Sequence, residues 1–198
     1  MARILVVEDN PIHQEAARQQ LATHKVTIIK SFTEFFQKYT GFEKADINEF
    51  DVVLTDMHLP SPIYTKDNAE EEAPSGLNIA LYAIVNQVKY VGILTDTERH
   101  GGTAMGYSID LFKHEPVFVG KTTFFPPTCV MKKVFQENLA KEPSLPNWVY
   151  MCCGGDSKEL KEKRKEIQSK LITVKDWKFL LKELLNKRKE LKKVRIYN

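Results

Sequence analysis

The sequence has few cysteines and no long apolar run. Its three cysteines, Cys129, Cys152 and Cys153, lack the CxxC spacing of zinc and redox sites, and an adjacent pair is a poor candidate for a disulfide. No segment is apolar over the length of a bilayer, and the first residues, MARILVVEDN, lack the features of a signal peptide. We therefore expect buried thiols and a cytoplasmic protein without a membrane partner.

Two further classes of site have little support. The five histidines show no spacing typical of a metal-binding pair. His58 lies beside the aspartate Asp56, and we interpret it as a neighbouring loop residue in preference to a proton-transfer group. Gly120-Lys121-Thr122 resembles the end of a phosphate-binding loop, but position 115, where that pattern needs its first glycine, holds Glu115. The chain is not predicted to be a P-loop nucleotide-binding protein.

Length and charge divide the chain into a body and a basic tail. A chain of 198 residues that is 42% hydrophobic can bury one full core and a small extension. Residues 158–198 hold fifteen Lys and Arg against six Asp and Glu, whereas residues 1–157 hold fourteen against twenty. We predict one domain over residues 1–141 and a basic, mostly helical extension over residues 142–198.

The body alternates short apolar runs with helical patterns. Apolar runs lie at residues 3–7, 26–29, 50–55, 90–94 and 116–119, and helical patterns lie at residues 11–23, 32–40 and 76–87. Continuous apolar runs of this length are typical of strands that are covered on both faces. The alternation therefore predicts an α/β fold with a doubly wound, five-stranded parallel sheet.

The residues that follow these runs share one chemistry. Ligands of such sheets bind outside the carboxyl ends of the strands, where we expect Glu8, Asp9, Asp56, Thr95 and Lys121 to converge. Carboxylates about 4 Å apart repel by roughly 4 kcal/mol at an effective dielectric near 20, so the cluster favours a hard divalent ion such as Mg²⁺. A carboxylate is also a recognised nucleophile, and an ammonium and a hydroxyl can bind phosphoryl oxygens.

Two segments resemble the response-regulator receiver family, whose members are CheY-like. They are Ile4-Leu-Val-Val-Glu-Asp-Asn-Pro11 and Val52-Val-Leu-Thr-Asp-Met-His-Leu-Pro60. The resemblance implies the strand order 2-1-3-4-5. It also implies a set of roles: Asp56 as the phosphoacceptor, Glu8, Asp9, Asp56 and the backbone carbonyl of His58 as magnesium ligands, Thr95 and Phe118 as switch residues, and Lys121 as the site lysine.

By this resemblance the chain is a stand-alone response regulator of a two-component system. Such a protein accepts a phosphoryl group from a histidine kinase or phosphotransfer protein, forms an aspartyl phosphate and signals to a downstream protein by direct contact. It is not an enzyme beyond catalysing its own phosphorylation and dephosphorylation.

Some residues depart from the family pattern and motivate an alternative. Asp96 follows Thr95 where a small residue is usual, and Thr122 follows Lys121 where proline is usual. The loop over residues 61–75 is long and acidic, and residues 95–115 have weak helical periodicity. The alternative is a pseudo-receiver, which would act as a phosphorylation-independent interaction or scaffold module.

The C-terminal region contains further predicted elements. Residues 128–141 are predicted as a fifth receiver helix, residues 148–153 as an extra strand or buried connection, and residues 157–170 as a charged helix. A last helix is predicted from Thr173, with an apolar stripe that includes Trp177 and Leu180. Three interpretations stay open: docking on the receiver or on a second copy in a homodimer, binding to a partner protein or to the acidic body under the control of phosphorylation, or contact with nucleic acid. No recognised DNA-reading motif supports the third.

Overall fold

The structure, a computed structural model, describes residues 1–40, 45–59, 75–96, 115–140, 162, 165–167 and 169–194. The strands are β1 (Arg3–Val7), β2 (Lys25–Ile29), β3 (Val52–Asp56), β4 (Tyr90–Leu94), β5 (Val117–Val119), β6 (Thr122–Thr128), β7 (Met131–Phe135) and β8 (Leu171–Lys175). The α-helices are α1 (Pro11–Gln20), α2 (Phe32–Thr40), α3 (Ser75–Val85) and α4 (Trp177–Val194), and a short 3₁₀ helix spans Ile47–Glu49.

The main sheet has six strands in the order β2-β1-β3-β4-β6-β5. Each neighbouring pair from β2 to β6 is parallel, and only β5, at the edge, pairs antiparallel with its neighbour. Five parallel strands therefore follow the predicted 2-1-3-4-5 arrangement, with β6 in the fifth place. The predicted α/β, CheY-like fold class is confirmed.

The fifth parallel strand is not the segment that the sequence predicted. The apolar run near residues 116–119 forms β5, an exposed antiparallel edge strand, whereas β6 is buried along its whole length. Pro126 and Pro127 obscure β6 in the sequence, because proline is rare in central strands. The structure accommodates both prolines where pairing with β5 has ended and the register with β4 shifts between Gly92 and Leu94.

The two faces of the sheet bury separate apolar clusters. On one face, side chains of β1 and β3 pack with α1 and α4. The members of this first cluster include Ile4, Val6, Ala16, Leu54, Trp177 and Leu180. On the other face, the alternate residues of the same strands pack with α2 and α3. The members of this second cluster include Leu5, Val7, Phe35, Val53 and Ile79. Successive strand residues point to opposite faces, so these apolar runs need cover on both sides.

The C-terminal region shares the core of the body. Residues 131–135 form β7, which pairs antiparallel with β8, so the predicted fifth helix over residues 128–141 is wrong. Thr173 lies inside β8, and α4 begins after Asp176, whose side chain accepts a hydrogen bond from the Phe179 N–H at 3.0 Å. Because α4 packs on β4, β6 and α1, no boundary between cores falls at residue 141.

Several predicted features lie outside the described residues. They are the acidic loop over 61–74, the segment over 97–114, the predicted strand over 148–153, and Cys152 and Cys153. Cys129 is described and is half-buried. No helix within the described ranges has the combined length and apolar character needed to cross a membrane.

The packing of α4 on β4 generates a stability prediction. Leu180 is fully buried, and a Cβ built on Gly92 would lie 3.0 Å from its Cδ2 atom, so helix and strand are in close contact. We expect Leu180→Ala to lower the free energy of unfolding by about 2–5 kcal/mol because it leaves a cavity. Phe179→Ala is the matched control: Phe179 is 37% exposed, and its loss should cost less. Urea unfolding measures both, and equal losses would contradict this packing.

Candidate functional site

Four of the predicted site residues converge at the carboxyl edge of the sheet. Glu8 and Asp9 follow β1, Asp56 ends the adjacent β3, and Thr95 follows β4, in which Leu94 pairs with Asp56. One carboxylate oxygen from each of the three acids lies within 4.8 Å of the others. Glu8 and Asp56 are buried, and Asp9 is half-buried. The parallel strands therefore gather the acidic cluster, as the sequence predicts.

The lysine of this cluster is Lys175. Its Nζ atom lies 2.7 Å from Asp56 Oδ1 and 2.9 Å from Glu8 Oε2, and its side chain is fully buried. Lys175 is the last residue of β8, so the β7–β8 hairpin delivers the ammonium to an edge formed by other strands.

Lys121 lies at the opposite edge of the sheet. It precedes Thr122, whose hydroxyl donates to the Val88 carbonyl at 2.7 Å, and Thr123 pairs with Tyr90, the first residue of β4. Asp56 instead pairs with Leu94, the last residue of β4. The expectation that Lys121 joins the acidic cluster is therefore wrong, because the run before it forms an antiparallel edge strand.

Phe118 also lies far from the cluster. It pairs with Thr123 across the β5–β6 ladder, beside the start of β4, whereas Thr95 follows the end of β4. Its side chain is exposed at the outer edge of the sheet. The proposed switch pairing of Phe118 with Thr95 does not fit this placement.

Burial and charge together set the protonation of the cluster. Burial raises the pKa of Glu8 to about 8, and burial also raises the pKa of Asp56 to about 6, in each case against the opposing effect of Lys175. Burial alone would lower the pKa of Lys175, but Asp56 and Glu8 outweigh it and hold that pKa above its usual value. The raised pKa values show that burial disfavours the charged forms of Glu8 and Asp56, and a divalent cation such as Mg²⁺ on these hard oxygen donors would offset that cost.

Helix α1 holds the chain on both sides of Lys175. The Gln20 side chain donates from Nε2 to the Lys175 carbonyl at 3.1 Å and accepts from the Lys178 N–H at 3.3 Å. The Trp177 Nε1–H donates to the His13 carbonyl at 3.1 Å. These hydrogen bonds join segments more than 150 residues apart and fix where the ammonium enters the site.

Thr95 and its neighbours form the remaining wall of the site. The Thr95 hydroxyl is buried and lies 3.4 Å from His58 Nδ1, and the Thr95 N–H donates to the Thr128 carbonyl at 3.0 Å. Asp96 Oδ2 lies 3.9 Å from His13 Nε2. Burial, with Lys175 adding to it, lowers the pKa of His13 to about 4, so this histidine is neutral near pH 7. The role of the His58 carbonyl as a metal ligand stays a prediction.

The sequence contained a local pattern that pointed to Lys175. Leu171-Ile-Thr-Val-Lys175 is a short run of β-branched residues that ends in a lysine, which is typical of a strand. This strand was not predicted, because Thr173 was interpreted as a helix cap. Its place in the site was also hard to predict, because residues 129–170 separate β6, the last parallel strand, from β8.

The strand order and the acidic cluster together assign the architecture. Five parallel strands in the 2-1-3-4-5 arrangement bring an acidic pair, an aspartate and a threonine to one edge. The chain has the fold of a response-regulator receiver domain. The lysine that contacts the acidic cluster comes from the β7–β8 hairpin.

Solved receiver domains are among the structures that match this chain. No protein-family model and no curated protein matches it. The Mn²⁺-bound response regulator Rcp1 is 16% identical, with 55% of this chain and 75% of that chain covered and a TM-score of 0.37. The N-terminal domain of a three-domain response regulator from Carboxydothermus hydrogenoformans is 16% identical, with 84% and 96% covered and a TM-score of 0.37. A receiver domain from Clostridium thermocellum is 27% identical, with 51% and 68% covered and a TM-score of 0.33. The TM-scores are too low to indicate a common fold, and the fold is assigned from the strand order and the acidic cluster.

Gly76 permits the close approach of α3 to the end of β3. A Cβ atom built on Gly76 would collide with the Asp56 carbonyl oxygen, and the Gly76 N–H donates to the Met57 carbonyl at 3.1 Å. Alanine in a helix normally stabilises by up to about 1 kcal/mol relative to glycine. We expect Gly76→Ala to reverse this sign and destabilise by about 1–3 kcal/mol in urea unfolding, because backbone atoms must shift.

Asn78 offers a control on the same helix. Its side chain is exposed, so Asn78→Ala should leave the unfolding midpoint unchanged or raise it slightly. A Gly76→Ala variant as stable as the wild type would contradict the close contact between α3 and Asp56.

Proposed function

We propose that this protein is a two-component response regulator that accepts a phosphoryl group on Asp56 in a magnesium-dependent reaction and signals through protein contacts. The observation that supports it best is the contact of Lys175 Nζ with the Asp56 carboxylate at 2.7 Å, inside a cluster with Glu8 and Asp9. A nucleophilic carboxylate, two further acidic side chains and a buried ammonium suit phosphoryl transfer better than a structural ion pair alone.

Each residue has a separate part in the proposed reaction. An Asp56 oxygen attacks the phosphorus atom, a phosphorus–oxygen bond to Asp56 forms, and the bond to the donor breaks as the donor group leaves. Lys175 then pairs with a phosphoryl oxygen, and the Thr95 hydroxyl donates to another. Glu8, Asp9 and Asp56 would hold Mg²⁺, which would offset the charge of the transferred group.

The partners follow from this chemistry as proposals. The donor is a histidine kinase or a phosphotransfer protein, and the receiver of the signal is a downstream protein in the cytoplasm. The protein is not an enzyme beyond its own phosphorylation and dephosphorylation. The output surface would not use a switch between Phe118 and Thr95, because Phe118 pairs with Thr123 at the edge of the sheet, away from Thr95.

A pseudo-receiver is the second candidate function. Lys175 contacts both Glu8 and Asp56, so the two most buried acids already have a cationic partner without any ligand. Such a network could hold the fold as a constitutive interaction module. The first candidate differs from it in requiring covalent modification of Asp56.

Intact-protein mass after incubation with acetyl phosphate tests the proposed function. We expect the wild type to gain a single phosphoryl group with Mg²⁺ and none when a chelator replaces the ion. Asp56→Asn removes the nucleophile while keeping the size of the side chain, so this variant should gain none. An unmodified wild type that also fails to bind beryllofluoride would exclude receiver chemistry and favour the pseudo-receiver.

A pair of lysine variants tests which ammonium serves the site. Lys175→Gln and Lys121→Gln remove the same charge from opposite edges of the sheet. We expect Lys175→Gln to lose phosphorylation and to be destabilised by about 3–5 kcal/mol, because two buried carboxylates lose their partner. Lys121→Gln should be phosphorylated at the wild-type rate and change stability by less than about 0.5 kcal/mol.

Lys175→Arg separates chemistry from folding in the same experiment. It keeps the positive charge but changes its shape, so a folded variant with slower phosphorylation would assign Lys175 to the reaction. Circular dichroism checks that each variant is folded. Normal phosphorylation of folded Lys175→Gln, or its loss in Lys121→Gln, would contradict the assignment.

A further inference from the structure

A second charged site lies at the edge of the sheet opposite Asp56. A cavity of about 330 Å³ is lined by Lys89, Tyr90, Leu185, Arg188 and Lys189. Three of these five residues are cationic, and none of them is acidic. The cavity therefore gathers positive charge without a carboxylate in its described lining.

Packed elements fix the walls of this cavity. Lys89 precedes β4, and its carbonyl accepts a hydrogen bond from the Thr123 N–H at 3.0 Å. The Tyr90 ring is buried in the core, and the Tyr90 N–H donates to the Asp51 carbonyl at 3.2 Å. On the other side, the fully buried Leu184 anchors the turn of α4 that precedes Arg188. The cationic groups are thus held near one another by the fold.

The cations of the cavity are not neutralised within it. Lys89 Nζ and Arg188 Cζ each lie 5.4 Å from the centre of the Tyr90 ring. An aromatic ring attracts a cation, but it carries no net charge and leaves the two cations repelling each other. In the described part of the chain the buried Arg188 Nη1 atom also has no hydrogen-bond acceptor. A buried guanidinium donor without an acceptor is costly, and an anion would supply the acceptor.

We propose that this cavity binds a small anion that carries a diphosphate or triphosphate group. Three cationic groups match an anion of two or more negative charges better than a monocarboxylate, and the guanidinium fork is suited to phosphate oxygens. A volume near 330 Å³ is at the small end of the range for small-molecule sites and fits a pyrophosphate or a nucleotide. This binding uses none of the residues of the acidic cluster, because the two sites lie at opposite ends of β4.

Isothermal titration calorimetry of the full chain tests the proposal, with pyrophosphate and ADP as probes. A chelator is present so that no divalent ion can bring phosphate to the acidic cluster. We expect saturable binding of pyrophosphate, weakened at least about tenfold by Arg188→Gln through loss of a charge-assisted contact. Lys182→Gln is the matched control, because Lys182 is an exposed lysine of the same helix outside the cavity lining. Its affinity should stay within about twofold of the wild type.

Two further variants distinguish recognition in this cavity from phosphate binding at the acidic cluster. Arg188→Lys keeps the charge and loses the fork, so weaker binding than the wild type would support direct recognition. Asp56→Asn should bind both probes as the wild type does, whatever the outcome of the phosphorylation experiment. A stronger response to ADP than to pyrophosphate would identify a nucleotide as the source of the phosphate, and equal responses would identify the phosphates alone.

Three results would overturn the proposal. The first is the absence of saturable binding of either probe. The second is an equal loss of affinity in Lys182→Gln and Arg188→Gln, which would mean that the basic helix attracts anions without a defined site. The third is binding of a single-stranded DNA oligonucleotide without binding of either small probe, which would assign the basic surface to nucleic acid.

Discussion

The buried ammonium of Lys175 between Glu8 and Asp56 is the interaction on which the rest of the structure depends. Removing charged groups from water costs several kcal/mol per ion, and a buried ion pair repays this only when its geometry is well fixed. The surrounding contacts supply that geometry. Gln20 bonds to the backbone beside Lys175, and the Trp177 indole bonds to the His13 carbonyl. The packing of α1 against the start of α4 is therefore a requirement of the site as well as of the core.

This arrangement joins the stability of the sheet to its chemistry. Strand β8 supplies the lysine that contacts Glu8 and Asp56, and the following helix α4 covers one face of the parallel strands. In the sequence the segment looked like a basic extension, but its apolar stripe is part of the core. A change that loosened α4 would expose the sheet and displace the ammonium together. The two functions of the segment cannot be separated by cutting the chain near residue 141.

The acidic part of the site could be predicted because it depends on local pattern and one topological rule. Glu8, Asp9 and Asp56 each follow or end an apolar run, and parallel strands place their carboxyl ends at one edge. Lys175 could not be predicted in this way, because an apolar run predicts a strand but not the direction in which the strand runs or the strands with which it pairs. The run before Lys121 is a strand, but it pairs antiparallel at the edge. The true fifth strand contains two prolines, which argue against a central strand until its register with β4 is known.

Helix α4 is the element that the two charged sites have in common. Its first turn adjoins Lys175, and Arg188, three turns further along, lines the cationic cavity. The five residues of β4 separate the two edges by about 17 Å at roughly 3.3 Å per residue. A packed helix moves as a unit more readily than it bends, so a shift of α4 on the sheet would alter both sites at once. The hydrogen bonds of Gln20 to both Lys175 and Lys178 oppose such a shift, and they make the contact between α1 and α4 the place where the two sites would be coupled.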